Sequence, residues 1–378
     1  MNWRKQTCPR CSGRFEKAKD KFICKDCGAS YTKQQLVVNS YRNEGLTYYN
    51  EKDYENALYW FKKAAKYGDA QAQCDIGLLY DNGNGVKKSS KQAAKWYKKA
   101  AKLGNAQAQY NYAVCLENGD GVRKNAKKAV IWYTKAANQA HAKAQYNLGV
   151  CYREGYGIGK NQKHAFTWFE KAAKSNHPKA QLQLGLCYKN GNGTQKDPVK
   201  AAEWFAFAAR QGNIEAQCHL GNCYFAGNGA TQNYQRAVEW YEKAAMQGYA
   251  KAQCNLGNCY FNGTGMSRNV QKAVEWFEKS AAQDFPKAQY CLGMCYKYGE
   301  GVAKSAKKAL EYFRLAANQN NAEAQYEIGM CYEFGEGVFK NSNKAREWYE
   351  KASKNGHQGA TDKLKKKSTA QPNKPANQ

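Results

Sequence analysis

The sequence predicts an all-α fold, a right-handed α-solenoid of helix-turn-helix repeats with a 36-residue period, preceded by a small cysteine-bearing β module. Three observations carry this reading. Trp60, Trp96, Trp132, Trp168, Trp204, Trp240, Trp276 and Trp348 stand on one 36-residue grid, with Tyr312 in the single gap. An alanine grid from Ala72 to Ala360 and glycine pairs from Gly83/Gly85 to Gly335/Gly337 run in phase with it. A fixed period of roughly 20–50 residues marks a stacked array, because one hairpin cannot bury both of its faces alone.

The first element in chain order is residues 1–33. Cys8-Pro9-Arg10-Cys11 and Cys24-Lys25-Asp26-Cys27 form two Cys-x-x-Cys pairs with twelve residues between them. Thiolates at this spacing wrap two tight turns around one tetrahedral ion, with Zn–S distances of about 2.3 Å. Gly13 and Gly28 follow the pairs, as tight knuckles require. Arg14-Phe15 and Lys21-Phe22-Ile23 supply the two strands of an intervening hairpin. The pattern resembles a zinc ribbon with a short gap. Cys8, Cys11, Cys24 and Cys27 are its expected ligands to one structural zinc, with iron or a metal-free thiol cluster as the alternatives. Four thiolates leave no open coordination position, so the expected role is structural.

Residues 36–68 carry Tyr48, Tyr49, Tyr54, Ala57, Trp60, Phe61, Ala64 and Ala65, a hairpin pattern without the glycine loop. Eight full units follow over 69–356. In the first of them Ala72, Ile76, Leu79 and Tyr80 share one helical face. Gly83 and Gly85 end that helix, Val86 folds back apolar surface, and Ser89 is placed to cap the next helix. Ala93, Trp96, Tyr97, Ala100 and Ala101 form the apolar face of the second helix, which stops at Gly104. The alanines let helix axes approach. The tryptophans are expected to wedge between units, each burying roughly 150–250 Å². Residues 357–364 begin a capping helix, and 365–378, polar with two prolines, read as a disordered basic tail.

The string Ala-Gln-Tyr-Asn-Leu-Gly-Val-Cys-Tyr at 144–152, with Gly155, Gly157, Ile158, Ala165 and the Trp168-Phe169-x-Lys171-Ala172-Ala173 run, resembles the Sel-one-like repeat family. That family is a branch of the tetratricopeptide-repeat superfamily. Residues 36–68 resemble a shorter, ordinary tetratricopeptide unit. The resemblance implies that first helices line a concave groove and second helices a convex surface. It implies a non-enzymatic scaffold or adaptor that takes a protein or peptide partner. Some secreted members are stapled by disulfides between the end of a second helix and the next first helix. The matching positions here, such as Ala65 with Gln73, Ala209 with Gln217 and Ala245 with Gln253, hold no cysteine. The chain also starts without an apolar leader segment. A reducing, cytoplasmic location is therefore expected.

Within that frame the varied first-helix positions are the candidates for partner contact. At position 74 and its 36-residue successors they include Tyr110, Tyr146, Tyr290 and Tyr326; at 78, Asn222 and Asn258; at 81, Phe225 and Phe261. The apolar ones fit an inter-unit core equally well. Gln73 and its equivalents never vary, which points to a repeated structural hydrogen bond. Cys115 and its successors to Cys331 take the place of Leu79 and read as small buried apolar sites. His141, His177 and His357 share one inter-unit turn and read as turn or cap residues. No catalytic set stands out, and the glycine pairs lack the Gly-Lys-Ser/Thr of a phosphate loop, so no enzyme is expected.

Charge is one-sided, 59 Lys+Arg against 31 Asp+Glu for a net +28. The densest run extends from Lys87 to Lys102, where Lys91, Lys95, Lys98 and Lys102 form a stripe on one helix face. A nucleic-acid-binding protein using the ribbon and this basic face together is the alternative function. A solvated or acidic-protein-facing surface is the plainer reading, because the stripe lacks interleaved aromatics and arginines. No apolar run approaches the roughly 18 residues of a membrane helix, so no membrane partner is expected. The sequence leaves the partner's identity and the oligomeric state open.

Overall fold

A computed structural model describes residue 8, residues 10–18 and residues 20–369, with side chains to residue 365. Strands β1 (Phe15–Ala18), β2 (Lys21–Cys24) and β3 (Ser30–Thr32) form an antiparallel sheet in that order. Phe15 faces Cys24 and Phe22 faces Tyr31 across the ladders. The third strand was not expected from sequence. It is too short for an alternating pattern, and it ends where Thr32 becomes the cap of helix α1 (Lys33–Asn50). Thr32 and Gln35 make a reciprocal capping box: the Gln35 N–H donates to Thr32 Oγ1 at 3.2 Å, and the Thr32 N–H to Gln35 Oε1 at 2.8 Å. Leu36 of α1 joins Cys8, Phe15, Phe22 and Cys24 in the small core of the module.

The chain divides into two compact units, the first reaching Cys187 and taking in Gly191–Gln195, the second comprising Tyr188–Asn190 and the chain from Lys196 on. In the first unit α1 pairs with α2 (Tyr54–Lys66), and α3 (Ala70–Asn82) with α4 (Ser90–Lys102). The same hairpin recurs as Ala106–Asn118 with Ala126–Asn138, and as Ala142–Glu154 with Gln162–Lys174. The second unit repeats it from Ile214–Ala226 with Tyr234–Met246 to Ala322–Phe334 with Ser342–Lys354. The fold class is an all-α solenoid of repeated hairpins. The last helix spans Gln358–Thr369, so the segment read as a tail begins helical, and the rest of it lies outside the described residues.

Local sequence explains the hairpin. Asp69 accepts from the Ala72 N–H at 2.6 Å and starts α3; Ser89 accepts from the Gln92 N–H at 3.3 Å and starts α4. Gly83 takes φ 79° and returns its N–H to the Leu79 carbonyl. The second glycine answers a different demand. A Cβ on Gly85 would lie 2.6 Å from the Tyr54 carbonyl carbon, so the loop lies directly against the start of the preceding hairpin's second helix.

One expectation is corrected. The grid tryptophans are half-buried, and the aromatic that follows each of them fills the core. Phe61, Tyr97, Tyr133 and Phe169 in the first unit, and Phe205, Tyr241, Phe277, Phe313 and Tyr349 in the second, are each at most 2% exposed. Successive residues of a helix point about 100° apart, so only one of two adjacent rings can aim at the neighbouring helix. A lysine three residues on lies over most of the indoles, as Lys99 does at 4.2 Å from the Trp96 ring centre. The invariant glutamine bonds as expected: Gln109 Nε2 donates to the Ala101 carbonyl at 3.2 Å and Gln253 Nε2 to that of Ala245 at 3.1 Å. This joins the end of one hairpin's second helix to the first helix of the next.

Candidate metal centre and partner surface

The four Sγ atoms of Cys8, Cys11, Cys24 and Cys27 lie within 4.8 Å of one another. Two identical turns bring them there. Ser12 N–H donates to the Cys8 carbonyl and Cys8 N–H to that of Gly13; Gly28 N–H donates to the Cys24 carbonyl and Cys24 N–H to that of Ala29. The left-handed residue of each turn is Ser12 (φ 60°) and Gly28 (φ 68°), not Gly13. Gly13 is required for space, since a Cβ there would stand 2.1 Å from Asp26 Oδ2 and 2.9 Å from Cys24 Sγ. The Sγ separations are 3.7 Å for Cys8–Cys27 and 3.3 Å for Cys11–Cys24. Tetrahedral Zn–S bonds of about 2.3 Å set sulfurs about 3.8 Å apart, so the donor set fits zinc. The Gly13 amide favours the Cys11 thiolate, but the Cys24 and Cys27 thiols outweigh it and push the thiol up to about 12. So many sulfurs share the negative form only with a cation among them.

The first-helix surface combines a constant frame with varied residues. Tyr110 and Tyr146 stack on His141 and His177 at 4.9 and 5.0 Å in the first unit, as Tyr326 does on His357 at 4.2 Å in the second. Each of these histidines also caps the following helix, His141 Nδ1 accepting from the Ala144 N–H at 3.2 Å. Burial holds His141 and His177 below the usual imidazole range. The turn-or-cap reading of these histidines therefore agrees with the geometry, and one face of each of the three tyrosines is covered. Tyr290 sits 6.0 Å from the buried Phe313.

In the second unit, Asn222 Oδ1 accepts from Tyr241 Oη at 2.8 Å and from Asn255 Nδ2 at 3.2 Å. Asn258 bridges two thiols, donating to Cys254 Sγ at 3.8 Å and accepting from Cys291 Sγ at 3.9 Å. Phe225, 39% exposed, is edge-on to Tyr234 at 5.3 Å. Phe261 is half-buried, with the Arg268 guanidinium 5.8 Å above its ring. Asn222, Phe225, Asn258 and Phe261 thus lie on two successive first helices of one unit.

Sequence reading passed over a second relation: position 81 of one hairpin meets the residue 30 places on. Arg153 donates to Gln183 in the first unit. In the second, Lys297 donates to Glu327 at 2.7 Å and Lys363 to Glu333. A separation of 30 is neither a helical step nor the full period, so the grids did not expose it. On the other face Lys91, Lys95, Lys98 and Lys102 of α4 are all exposed, and none has an ion-pair partner among the described residues. Among the described residues no helix is long and apolar enough to cross a membrane.

The family model described as the Sel1 repeat matches residues 44–69, 70–105, 106–141, 142–177, 178–213, 214–249, 250–285, 286–321 and 322–357. Among solved structures, the chain is similar to a protective antigen present in uropathogenic Escherichia coli strains and displaying an SLR fold. That match has 36% identity and a TM-score of 0.71, covering 82% of this chain and 67% of that one. It is also similar to a Sel1 repeat protein from Oxalobacter formigenes, at 30% identity and a TM-score of 0.62, covering 81% of this chain and 88% of that one. No curated protein sequence matches the chain.

Proposed function

The chain belongs to the Sel1 repeat family, and from that membership we propose a non-enzymatic interaction scaffold that holds a protein or peptide partner on its first-helix surface, in a reducing, cytoplasmic setting. The observation that carries this is the contrast between frame and surface. The glutamine hydrogen bonds and core rings repeat from hairpin to hairpin, while positions 74, 78 and 81 change from Tyr to Cys, from Leu to Asn and from Asp to Phe. Part of this variation is packing, since Cys74, Leu182, Cys218 and Cys254 are buried; the part that suits selective recognition is carried by the incompletely buried Asn222, Phe225, Asn258 and Phe261. The positions at which a staple between hairpins would sit, such as Ala65 with Gln73 and Ala209 with Gln217, hold no cysteine, which suits a reducing compartment.

The amino-terminal module is proposed to hold one structural zinc on Cys8, Cys11, Cys24 and Cys27. The ion would cross-link the two turns of a module whose own core is five residues. The test of the scaffold is affinity purification with the full chain and with Asn222→Ala/Phe225→Ala/Asn258→Ala/Phe261→Ala. The variant is expected to lose the captured partner while keeping its helical circular dichroism. Undiminished capture by the folded variant removes this surface from consideration.

A further inference from the structure

Cysteine occupies position 74 of three hairpins, as Cys74, Cys218 and Cys254. The residue 37 places on belongs to the next first helix. It is Asn111 after Cys74 and Asn255 after Cys218, but Cys291 after Cys254. The contact that this spacing makes is visible one hairpin earlier, where Asn255 Nδ2 lies 3.9 Å from Cys218 Sγ. At Cys254 the same step sets a thiol against a thiol, and the two share a hydrogen bond. Both helices concerned, Ala250–Asn262 and Pro286–Tyr298, lie in the second unit.

The two sulfurs are not equivalent. Asn258 donates to Cys254 Sγ at 3.8 Å and accepts from Cys291 Sγ at 3.9 Å, so one sulfur receives hydrogens and the other gives its own. The Cys291 hydrogen bond, helped by Lys287 and Asn258, holds the Cys254 thiol below its ordinary range against the opposing effect of burial. The same hydrogen bond, followed by burial, pushes the Cys291 thiol up. Cys254 is therefore the sulfur that takes the negative, nucleophilic form, and Cys291 keeps its proton. Cys254 is enclosed and Cys291 half-buried, so a small oxidant approaches past Cys291.

We infer that Cys254 and Cys291 form a peroxide-responsive modification site, at which they close to a disulfide between two successive first helices. The Cys254 thiolate attacks one oxygen of a hydroperoxide: an S–O bond forms, the O–O bond breaks, and the leaving oxygen takes up the proton that Cys254 has shed. The Cys291 sulfur then attacks the sulfenic sulfur. The S–S bond forms, the S–O bond breaks, and the hydroxide leaves as water with the Cys291 proton. Over both steps the two sulfurs are oxidised and the peroxide is reduced. The bond joins first helix to first helix, away from Ala245 and Gln253, where a staple between these hairpins would sit. Its closure removes the thiol hydrogen that Asn258 accepts, so oxidation reaches one residue of the proposed partner surface. The site itself stands independently of that surface.

The test is hydrogen peroxide treatment of the reduced full chain with zinc present, followed by quenching, alkylation under denaturing conditions and peptide mass mapping. The expected product joins the Cys254 and Cys291 peptides, is lighter than the two together by two hydrogens, and is reversed by dithiothreitol. Cys218, which meets Asn255 instead of a thiol, is expected to remain open to alkylation. Cys291→Asn copies that arrangement, and is expected to lose the cross-link and leave Cys254 as a sulfenic acid that dimedone labels. Separate alkylation of Cys254 and Cys291 after peroxide overturns the inference, as does a cross-link from either to another cysteine. Equal loss of the Cys218 thiol overturns it too, because pairing then confers nothing. The wild-type map decides alone where the variant does not fold; a folded variant without the dimedone label removes Cys254 as the attacking sulfur.

Discussion

Tyr133 donates its phenolic hydrogen to Glu117 Oε2 at 2.5 Å, and the two residues change together from hairpin to hairpin. Tyr97 donates to Asp81 and Tyr349 to Glu333 in the same way. Where the core ring is Phe169, Phe205, Phe277 or Phe313, the acid is replaced by Arg153, Lys189, Phe261 or Lys297. Tyr241 faces Phe225 and turns to Asn222 instead. A buried hydroxyl needs an acceptor and a ring without one does not, so the pair is set by hydrogen-bond satisfaction.

Tyr133→Phe should therefore destabilise the chain by about 1–3 kcal/mol, because Glu117 loses its donor while the ring keeps its volume. Burial, followed by Glu117, raises the Tyr133 hydroxyl well above its ordinary range, so it remains a donor at all working pH values. Adding Glu117→Arg recreates the Phe169/Arg153 pair, in which the guanidinium lies 5.8 Å above the ring, and should recover part of the loss. Urea denaturation of the four-member cycle measures this. A neutral Tyr133→Phe contradicts the account.

The period, the hairpin and the caps were legible because each rests on residues repeated at one spacing, such as Gly83 and Ser89 with their successors. The four metal-ligand candidates were legible because two Cys-x-x-Cys pairs leave few other arrangements. The roles of Trp96 and Tyr97 were not, since adjacent aromatics on one grid give the same signal and only helix direction decides which is enclosed.

Ala140 takes φ 61° at the junction where Gly68, Gly104, Gly212, Gly248 and Gly356 take the same left-handed conformation. An L-residue there pays roughly 1–2 kcal/mol of steric cost, part of which glycine returns as unfolded-state entropy. Ala140→Gly should stabilise the chain by about 0.5–1 kcal/mol. Asn320→Gly, at an equivalent junction with φ 60°, should gain less because asparagine tolerates this region. Paired melting curves test the order, and a loss of stability in Ala140→Gly refutes it.

Asp75 is a carboxyl that the fold holds partly out of water. Burial raises it to about 6, against the lowering effects of Gln71 and Arg42, and its Oδ2 has no hydrogen-bond partner. Between roughly pH 4 and pH 6 the native state thus holds more of this proton than the unfolded chain. Its contribution to stability falls as pH rises through that window and stays low above it. Asp75→Asn keeps the oxygen that accepts from Gln71 Nε2 at 2.9 Å. The variant should match wild type near pH 4 and exceed it by about 1–2 kcal/mol near pH 7.5, allowing for partial solvent screening. A difference that does not vary with pH contradicts this origin.

Zinc removal should act locally. The module's core of Cys8, Phe15, Phe22, Cys24 and Leu36 is far smaller than a self-supporting domain requires, and two of its members are ligand candidates. The helices from α2 onward have their own cores, built on Phe61, Tyr97 and the rings that follow. A chelator, or Cys11→Ser, is therefore expected to open residues 8–32 to protease while the far-ultraviolet helix signal stays almost unchanged. Metal binding must displace thiol protons, Cys11 among them with its thiol near 12, so apparent affinity should fall steeply as pH is lowered. Cobalt titration followed by its thiolate absorbance measures that slope, with one ion per chain expected. Equal protease resistance with and without metal shows instead that the sheet and Leu36 hold the turns together unaided.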